Sequence, residues 1–139
     1  PNAVANYTIM LMLMACRKVN FILDKAKTQD FSLPGKIGKE LSLCTVGIIG
    51  AGAIGETVVK HLSGFGCRIL VCSNHKNENI AAYAQQVDID TIYKECDIIS
   101  LHVPGVEKNY HMIDKKAIES MKDDVIIVNT ARGMMHTIF

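Results

Sequence analysis

The feature that most constrains this fold is an apolar, β-branched run at residues 45–49 that leads directly into three glycines. Gly50, Gly52 and Gly55 have the spacing G-x-G-x-x-G, with a strand pattern before them and a helix pattern after them. In such a turn the first glycine allows the sharp reversal, the second lets the backbone approach a pyrophosphate, and the third lets the helix pack on the sheet. The pattern predicts a dinucleotide site. The alternative is a tight strand-to-helix turn that binds nothing.

The chain of 139 residues has the length of one domain with a single substantial core. Its net charge of +1 gives no electrostatic reason to expect a nucleic acid or an anionic membrane as partner. The longest apolar run, residues 9–16, is too short to cross a bilayer. The chain opens without an initiator Met, so we expect a piece of a longer protein, and no signal-peptide pattern occurs in it.

The cysteines form neither a disulfide framework nor a metal site by their spacing. Their number is odd and no C-x-x-C pair occurs. We therefore expect buried, reduced thiols in a cytoplasmic protein, and no bound metal. The five are Cys16, Cys44, Cys67, Cys72 and Cys96.

The N-terminal segment predicts one long helix over residues 3–27, since it contains strong helix formers and no Gly or Pro. Its middle, residues 9–16, is apolar on every side, which indicates burial against a second domain or subunit. The alternative is that the helix lies across the sheet of its own chain. We expect an interdomain or dimer helix in residues 1–30 and a dinucleotide-binding domain, itself incomplete, in residues 31–139.

Beyond a Gly- and Pro-containing loop, strand and helix patterns alternate. Continuous apolar strands between helices are typical of a parallel sheet that is covered on both faces. The fold class predicted is therefore α/β: a Rossmann-type, doubly wound parallel sheet preceded by a long helix. The strands are expected at 44–49, 68–72, near 87, 97–102 and 124–129, and the helices at 53–64, 78–86, 90–95 and 114–121.

Four of these strands end in glycine or polar residues, and the carboxyl ends of parallel strands share one edge of the sheet. Ligands of open α/β sheets bind beyond that edge, where the strand order reverses. We therefore expect one cleft built by the segments 50–55, 73–76, 100–104 and 129–133.

The end of the second strand bears on the choice of coenzyme. A carboxylate there would accept hydrogen bonds from the adenosine ribose and favour NAD. Ser73 stands at this place, and Lys76 and His75 follow it, able to approach a 2′-phosphate. The sequence gives a slight preference for NADP over NAD. The alternative is a solvated turn in which Lys76 touches nothing.

Arg132 is the candidate for substrate chemistry. It follows the last strand, next to Gly133, where its planar guanidinium can present two donors to a carboxylate. The same group would stabilise negative charge that develops on a neighbouring carbonyl during hydride transfer. An ordinary surface arginine is the alternative interpretation.

Five blocks in this order resemble the NAD(P)-binding domain of the D-isomer-specific 2-hydroxyacid dehydrogenases. Within that family the chain is most similar to D-lactate dehydrogenases and related 2-keto acid reductases. The resemblance implies a cytoplasmic oxidoreductase that moves hydride between a nicotinamide and a small 2-keto acid or D-2-hydroxy acid. It also implies a homodimer through this domain, with the long helix contributing. The blocks are residues 1–5, 50–55, 100–104, 121–122 and 129–133.

The resemblance also implies roles for single residues. Arg132 matches the arginine that grips the 2-keto acid. His102 resembles a loop residue rather than the proton donor. The donor and its acidic partner are expected beyond Phe139, and the separate substrate domain of the family is expected outside this chain. We therefore expect the isolated chain to be inactive. The residues expected to bind the cofactor are Gly50, Gly52, Ala53, Ile54, Gly55, Ser73, Asn74, His75, Lys76, Val103, Pro104, Thr130 and Ala131.

Two other functions use similar folds. A dinucleotide-sensing regulatory module of the corepressor type would need a partner-binding groove. A methyltransferase would need an acidic residue at the end of the second strand, where Ser73 stands.

Overall fold

The computed structural model describes residues 1–103 and 112–131, and in this part of the chain five parallel strands form one sheet. The strand order is β3-β2-β1-β4-β5, so the direction of winding reverses between β1 and β4. Ile49 at the end of β1 is in register with Cys72 of β2 and with Leu101 of β4, which brings these carboxyl ends to one edge. The strands are β1 Thr45–Ile49, β2 Arg68–Cys72, β3 Gln85–Gln86, β4 Ile98–Leu101 and β5 Ile126–Asn129.

Helices cover both faces of this sheet, as the sequence predicts. Successive strand residues point to opposite faces: Ile48 packs in the cluster with α1 and α3, and Ile49 packs in the cluster with α4 and α5. The apolar strands are therefore buried on both sides, which confirms the α/β doubly wound class. The helices are α1 Asn2–Cys16, α2 Val19–Lys27, α3 Ala53–Leu62, α4 Ile89–Glu95 and α5 Lys115–Glu119.

The prediction of one continuous helix over residues 3–27 is wrong. The helix breaks after Cys16, and Lys18 takes a left-handed conformation with φ 53°. The carbonyl of Cys16 accepts a hydrogen bond of 2.8 Å from the Lys39 N–H, supplied by the following loop. Because that tertiary bond replaces a helical one, the chain turns at a point that no Gly or Pro marks.

Among the described residues, none of the helices has both the length and the apolar character that a membrane span requires.

Helix α1 packs one side against its own chain, as the alternative interpretation has it. Ala5, Ile9 and Met12 are buried in the core that α1 shares with α3 and the sheet. The opposite side remains open, and Tyr7 and Met10 are 55% and 42% exposed. The division of the chain at residue 30 stays a prediction.

The helix expected at 78–86 is also wrong. Residues 78–80 form a single 3₁₀ turn, and Gln85–Gln86 is the short third strand, paired with Leu70 and Val71 of β2. Backbone pairing with the sheet edge outweighs the helix propensity of this segment. The other predicted elements occur within three residues of their expected ends.

All five cysteines are free thiols in the structure; three are buried and two are half-buried. Burial raises the pKa of Cys16 to about 11 and that of Cys96 to about 12.

Candidate functional site

A cleft of about 910 Å³ opens at the carboxyl edge of the sheet, beside the reversal between β1 and β4. This is the place where the ligands of open α/β sheets bind. Its walls come from the glycine turn, from the loop after β2 and from the end of β4. The lining includes Gly50, Ala51, Gly52, Ser73, Asn74, His75, Lys76, Asn77, Glu78, Asp88, His102, Val103 and Met112.

The three glycines of the turn serve different purposes. Gly50 has φ 101°, and a Cβ there would collide with the carbonyl oxygen of His102. A Cβ at Gly55 would collide with the carbonyl of Gly50. A Cβ at Gly52 would have no atom within 4 Å. Two glycines are therefore required by the packing of the protein, whereas the third keeps space open in the cleft.

The start of α3 faces this open space. Gly52 is the N-cap residue, and no side chain caps the helix. The first N–H groups of any helix lack partners within the helix, and together they attract an anion. The backbone at Gly52, Ala53 and Ile54 therefore fits a pyrophosphate, since it combines N–H donors with a wall from which the Cβ is missing.

The loop after β2 carries the four residues expected near the adenosine ribose. Ser73 donates its hydroxyl to the carbonyl of His75, which folds the loop on itself. Lys76 reaches out to Glu78, with Nζ and Oε1 3.4 Å apart, but both side chains are highly exposed. An exposed ion pair contributes little free energy, so Lys76 can leave Glu78 for another anion.

Two carboxamide side chains that the sequence analysis missed fasten this loop. Asn77 Nδ2 donates to the carbonyl of Ala51 in the glycine turn at 3.0 Å and to Glu56 of α3 at 3.1 Å. Gln86 on β3 accepts the Asn77 N–H at 2.8 Å and donates to the carbonyl of His75 at 3.2 Å. They fix the distance between the glycine turn and the loop after β2. Nothing in a polar turn sequence distinguishes such residues from solvated ones.

His102 forms part of the cleft wall as a neutral imidazole. Its Nε2 lies 2.7 Å from the hydroxyl of the fully buried Ser100. Burial lowers the pKa of His102 from 6.5 to about 4. At neutral pH this side chain therefore carries no charge, which fits a wall residue better than a proton donor.

The lowered pKa of His102 predicts a loss of stability in mild acid. Below pH 6.5 the imidazole of His102 is protonated in the unfolded chain, whereas in the folded chain it stays neutral down to about pH 4. The free energy of unfolding should therefore fall by roughly 2–3 kcal/mol over this window. Denaturant unfolding between pH 7 and pH 4 checks this, with His102→Gln as the comparison. Equal pH slopes for the two proteins would contradict it.

Carboxylates with lowered pKa values, such as Glu56 from 4.5 and Asp88 from 3.8, contribute at the acid end of the same window, and the comparison with His102→Gln subtracts this common contribution. Hydrogen bonds from Thr91 hold the pKa of Asp88 below its ordinary 3.8. The stability that Asp88 contributes is present above pH 3.8 and is lost as the pH falls further.

The remaining predicted site residues lie along the same edge or outside the described residues. Thr130 follows β5, and its Oγ1 lies 3.0 Å from Oγ1 of Thr8 on α1. The N–H of Ala131 donates to Asn129 at 3.0 Å. Pro104 and Arg132 fall in residues 104–111 and 132–139, outside the described residues. The structure gathers Gly50, Gly52, Ser73, Asn74, His75, Lys76 and Val103 around the cleft, and its lining does not include Ala53, Ile54, Gly55, Thr130 or Ala131.

Comparison with known proteins gives the same assignment as this geometry. The family described as D-isomer specific 2-hydroxyacid dehydrogenase, NAD binding domain, matches residues 9–137. The aromatic 2-oxoacid reductase of Clostridium sporogenes is 43% identical over 136 residues, which are 97% of this chain and 41% of the relative. The D-specific alpha-keto acid dehydrogenase of Enterococcus faecalis is 42% identical over 135 residues, which are 97% of this chain and 41% of the relative.

Solved structures agree with the sequence relatives. The D-lactate dehydrogenase with NAD⁺ from Lactobacillus jensenii superposes with a TM-score of 0.93 and 34% identity, over 99% of this chain and 42% of that one. The apo D-lactate dehydrogenase from Escherichia coli superposes with a TM-score of 0.91 and 34% identity, over 97% of this chain and 43% of that one. This chain spans about two fifths of the length of its curated relatives. The predicted resemblance is confirmed: the chain belongs to the D-isomer-specific 2-hydroxyacid dehydrogenases and is their NAD-binding domain.

Proposed function

We propose that the full-length protein carrying this domain is an oxidoreductase that transfers hydride between a nicotinamide cofactor and a 2-keto acid or D-2-hydroxy acid. The observation that carries the proposal is the glycine turn, in which Gly52 leaves open space at the uncapped start of α3. The names of the relatives, 2-oxoacid reductase and D-lactate dehydrogenase, support the substrate class. Because these relatives are dehydrogenases and reductases, the corepressor alternative gains no support.

The topology suggests how the cofactor would lie in the cleft. With its pyrophosphate on the α3 N–H groups, the adenosine extends towards the end of β2 and the nicotinamide towards β4 and β5. When bound, the cofactor supplies or accepts the hydride. The chain would hold it through three groups of residues. The pyrophosphate would lie on Gly52, Ala53 and Ile54, in a turn whose shape depends on Gly50 and Gly55. The adenosine side would contact Ser73, Asn74, His75, Lys76, Val103 and Pro104, and the nicotinamide side would contact Thr130 and Ala131.

Arg132 is proposed to hold the substrate. Its guanidinium would pair with the carboxylate of the 2-keto acid and orient the carbonyl towards the nicotinamide. The acid that protonates the resulting alkoxide is expected in another part of the full-length protein.

For the coenzyme we keep a slight preference for NADP over NAD. No carboxylate occurs among residues 73–77, and the hydroxyl of Ser73 is engaged by the carbonyl of His75. A 2′-phosphate would therefore meet no repulsion from those five residues, and Lys76 could exchange its weak pair with Glu78 for that phosphate.

Paired calorimetric titration with NADH and NADPH tests both the cofactor role and the preference. We expect NADPH to bind more tightly, and Lys76→Ala to weaken NADPH about fivefold to tenfold while leaving NADH unchanged, because only NADPH carries the added charge. Lys116→Ala on α5, away from the cleft lining, is the matched control. Equal or tighter binding of NADH would overturn the preference, and binding of neither would overturn the cofactor role.

Residues 1–30 are proposed as an interdomain or homodimer helix beside the dinucleotide-binding residues 31–139, acting through the side of α1 that does not pack in the core. Tyr7 and Met10 on the open side of α1 are exposed, and a groove of about 580 Å³ runs between α1 and α3. Its lining is largely apolar, and it includes Met10, Leu13, Met14, Val19 and Phe65.

A cytoplasmic location is proposed because the five cysteines are free thiols.

A further inference from the structure

A buried hydroxyl of the N-terminal helix contacts the residue that follows β5, at the same edge of the sheet as the cleft. Thr8 on α1 is fully buried, and its Oγ1 lies 3.0 Å from Oγ1 of Thr130, the residue that follows β5. The register pairs Asn129 with Leu101, so Thr130 adjoins His102, which lines the cleft. The contact therefore joins α1 to the edge where the cofactor would bind.

The hydrogen bonds give this contact a direction. The hydroxyl of Thr8 donates to the carbonyl of Val4, one helical turn earlier, at 2.8 Å. A hydroxyl has one proton and two acceptor lone pairs. Both bonds form together only when Thr130 donates its own proton to Thr8. The proton of Thr130 is then directed towards α1, and the oxygen of Thr130 keeps a lone pair available to accept an N–H.

We propose that Thr8 is a positioning residue that orients the Thr130 hydroxyl as a hydrogen-bond acceptor for the carboxamide N–H of the bound nicotinamide. The inference rests on the proposed cofactor role. Thr130 lies on the β4–β5 side of the strand-order reversal, opposite the ribose loop after β2, where the second nucleoside of a dinucleotide extends. The carboxamide is the group of that nucleoside with N–H donors to offer.

An analogue that lacks those donors tests the proposal. In 3-acetylpyridine adenine dinucleotide a methyl group replaces the amide nitrogen, so the N–H groups are gone. We expect the full-length protein to bind NAD⁺ more tightly than the analogue. Thr130→Val should reduce that ratio of dissociation constants about threefold to tenfold, the range of one hydrogen bond. Thr130→Ser should restore it.

Thr8 is tested by the same ratio. Thr8→Val preserves the volume of the side chain and removes the acceptor, so the Thr130 proton loses its fixed direction and the ratio should fall. Thr8→Ser should keep the ratio, and adding Thr8→Val to Thr130→Val should lower it no further, because the two residues act through one bond. Calorimetry measures every constant without requiring turnover.

The outcomes separate this inference from the proposed function. If NAD⁺ and the analogue bind and Thr130→Val or Thr8→Val weakens both equally, the orienting role is wrong while the cofactor role stands. If neither ligand binds the unmodified protein, the cofactor role itself fails. A lower ratio for both valine variants, with recovery in both serine variants, supports the proposal.

Discussion

Replacing Gly52 with alanine should weaken dinucleotide binding at least about tenfold while leaving the free energy of unfolding unchanged, and replacing Gly50 with alanine should destabilise the fold itself. The two positions lie two residues apart in one turn, but their surroundings differ. A Cβ at Gly52 enters the space that the pyrophosphate would occupy, and no protein atom lies within 4 Å of it. A Cβ at Gly50 meets the backbone carbonyl of His102.

The expected cost at Gly50 has two sources. Its φ of 101° lies in a region that residues with a Cβ rarely adopt, which costs about 1–2 kcal/mol. The collision with the carbonyl oxygen of His102 adds to this cost. Gly50 follows β1 and His102 follows β4, and these two strands cannot move apart without breaking hydrogen bonds of the sheet. Together these terms amount to a few kcal/mol, a large share of the stability of an ordinary domain. Gly55→Ala should behave in the same way, since its Cβ meets the Gly50 carbonyl.

Thermal unfolding and calorimetric titration of each variant distinguish the two effects. Gly64→Ala is the control: its Cβ has no atom within 4 Å and it lies outside the cleft lining, so both measurements should stay at the values of the unmodified protein. A Gly52→Ala protein that binds NADH or NADPH normally would show that no phosphate approaches this turn.

The parts of the fold that the sequence predicts correctly are those with a local physical cause. Apolar β-branched runs between helices specify β1, β2 and β4, and the glycine spacing specifies the turn into α3. The break at Lys18 has no such cause, because the Lys39 N–H that replaces the helical bond comes from a distant loop. The helix predicted over residues 78–86 is wrong for a similar reason, because the strand Gln85–Gln86 forms by pairing with β2.

The candidate site also has parts that the sequence predicts and parts that it does not. The glycine spacing and the polar strand ends predict the cleft, since few other arrangements need those residues in that order. Asn77 and Thr8 form side-chain bonds to Ala51 and Thr130, which are distant in the chain, and Gln86 accepts the N–H of Asn77 nine residues away. A single sequence contains no sign of such pairs, because the residue types involved are common in solvated turns and helices.

Changing Arg132 to alanine or to lysine should lower kcat/KM for 2-keto acid reduction about 100-fold to 1000-fold in the full-length protein, with the dissociation constant of the coenzyme nearly unchanged. The guanidinium is proposed to bind the substrate carboxylate with two parallel N–H donors and to stabilise charge on the carbonyl. Loss of one donor that stabilises such charge costs about this factor in other enzymes.

The lysine variant makes the test specific. Lysine keeps the positive charge but loses the planar pair of donors, so a purely electrostatic role would be rescued and a bidentate role would not. Steady-state kinetics with pyruvate and phenylpyruvate measure kcat and KM, and calorimetry with NADPH measures the coenzyme. If Arg132→Lys retained most of the activity, the bidentate grip would be wrong. If Arg132→Ala did so, the arginine would be an ordinary surface residue, and the carboxylate of the substrate would have to be recognised elsewhere in the full-length protein.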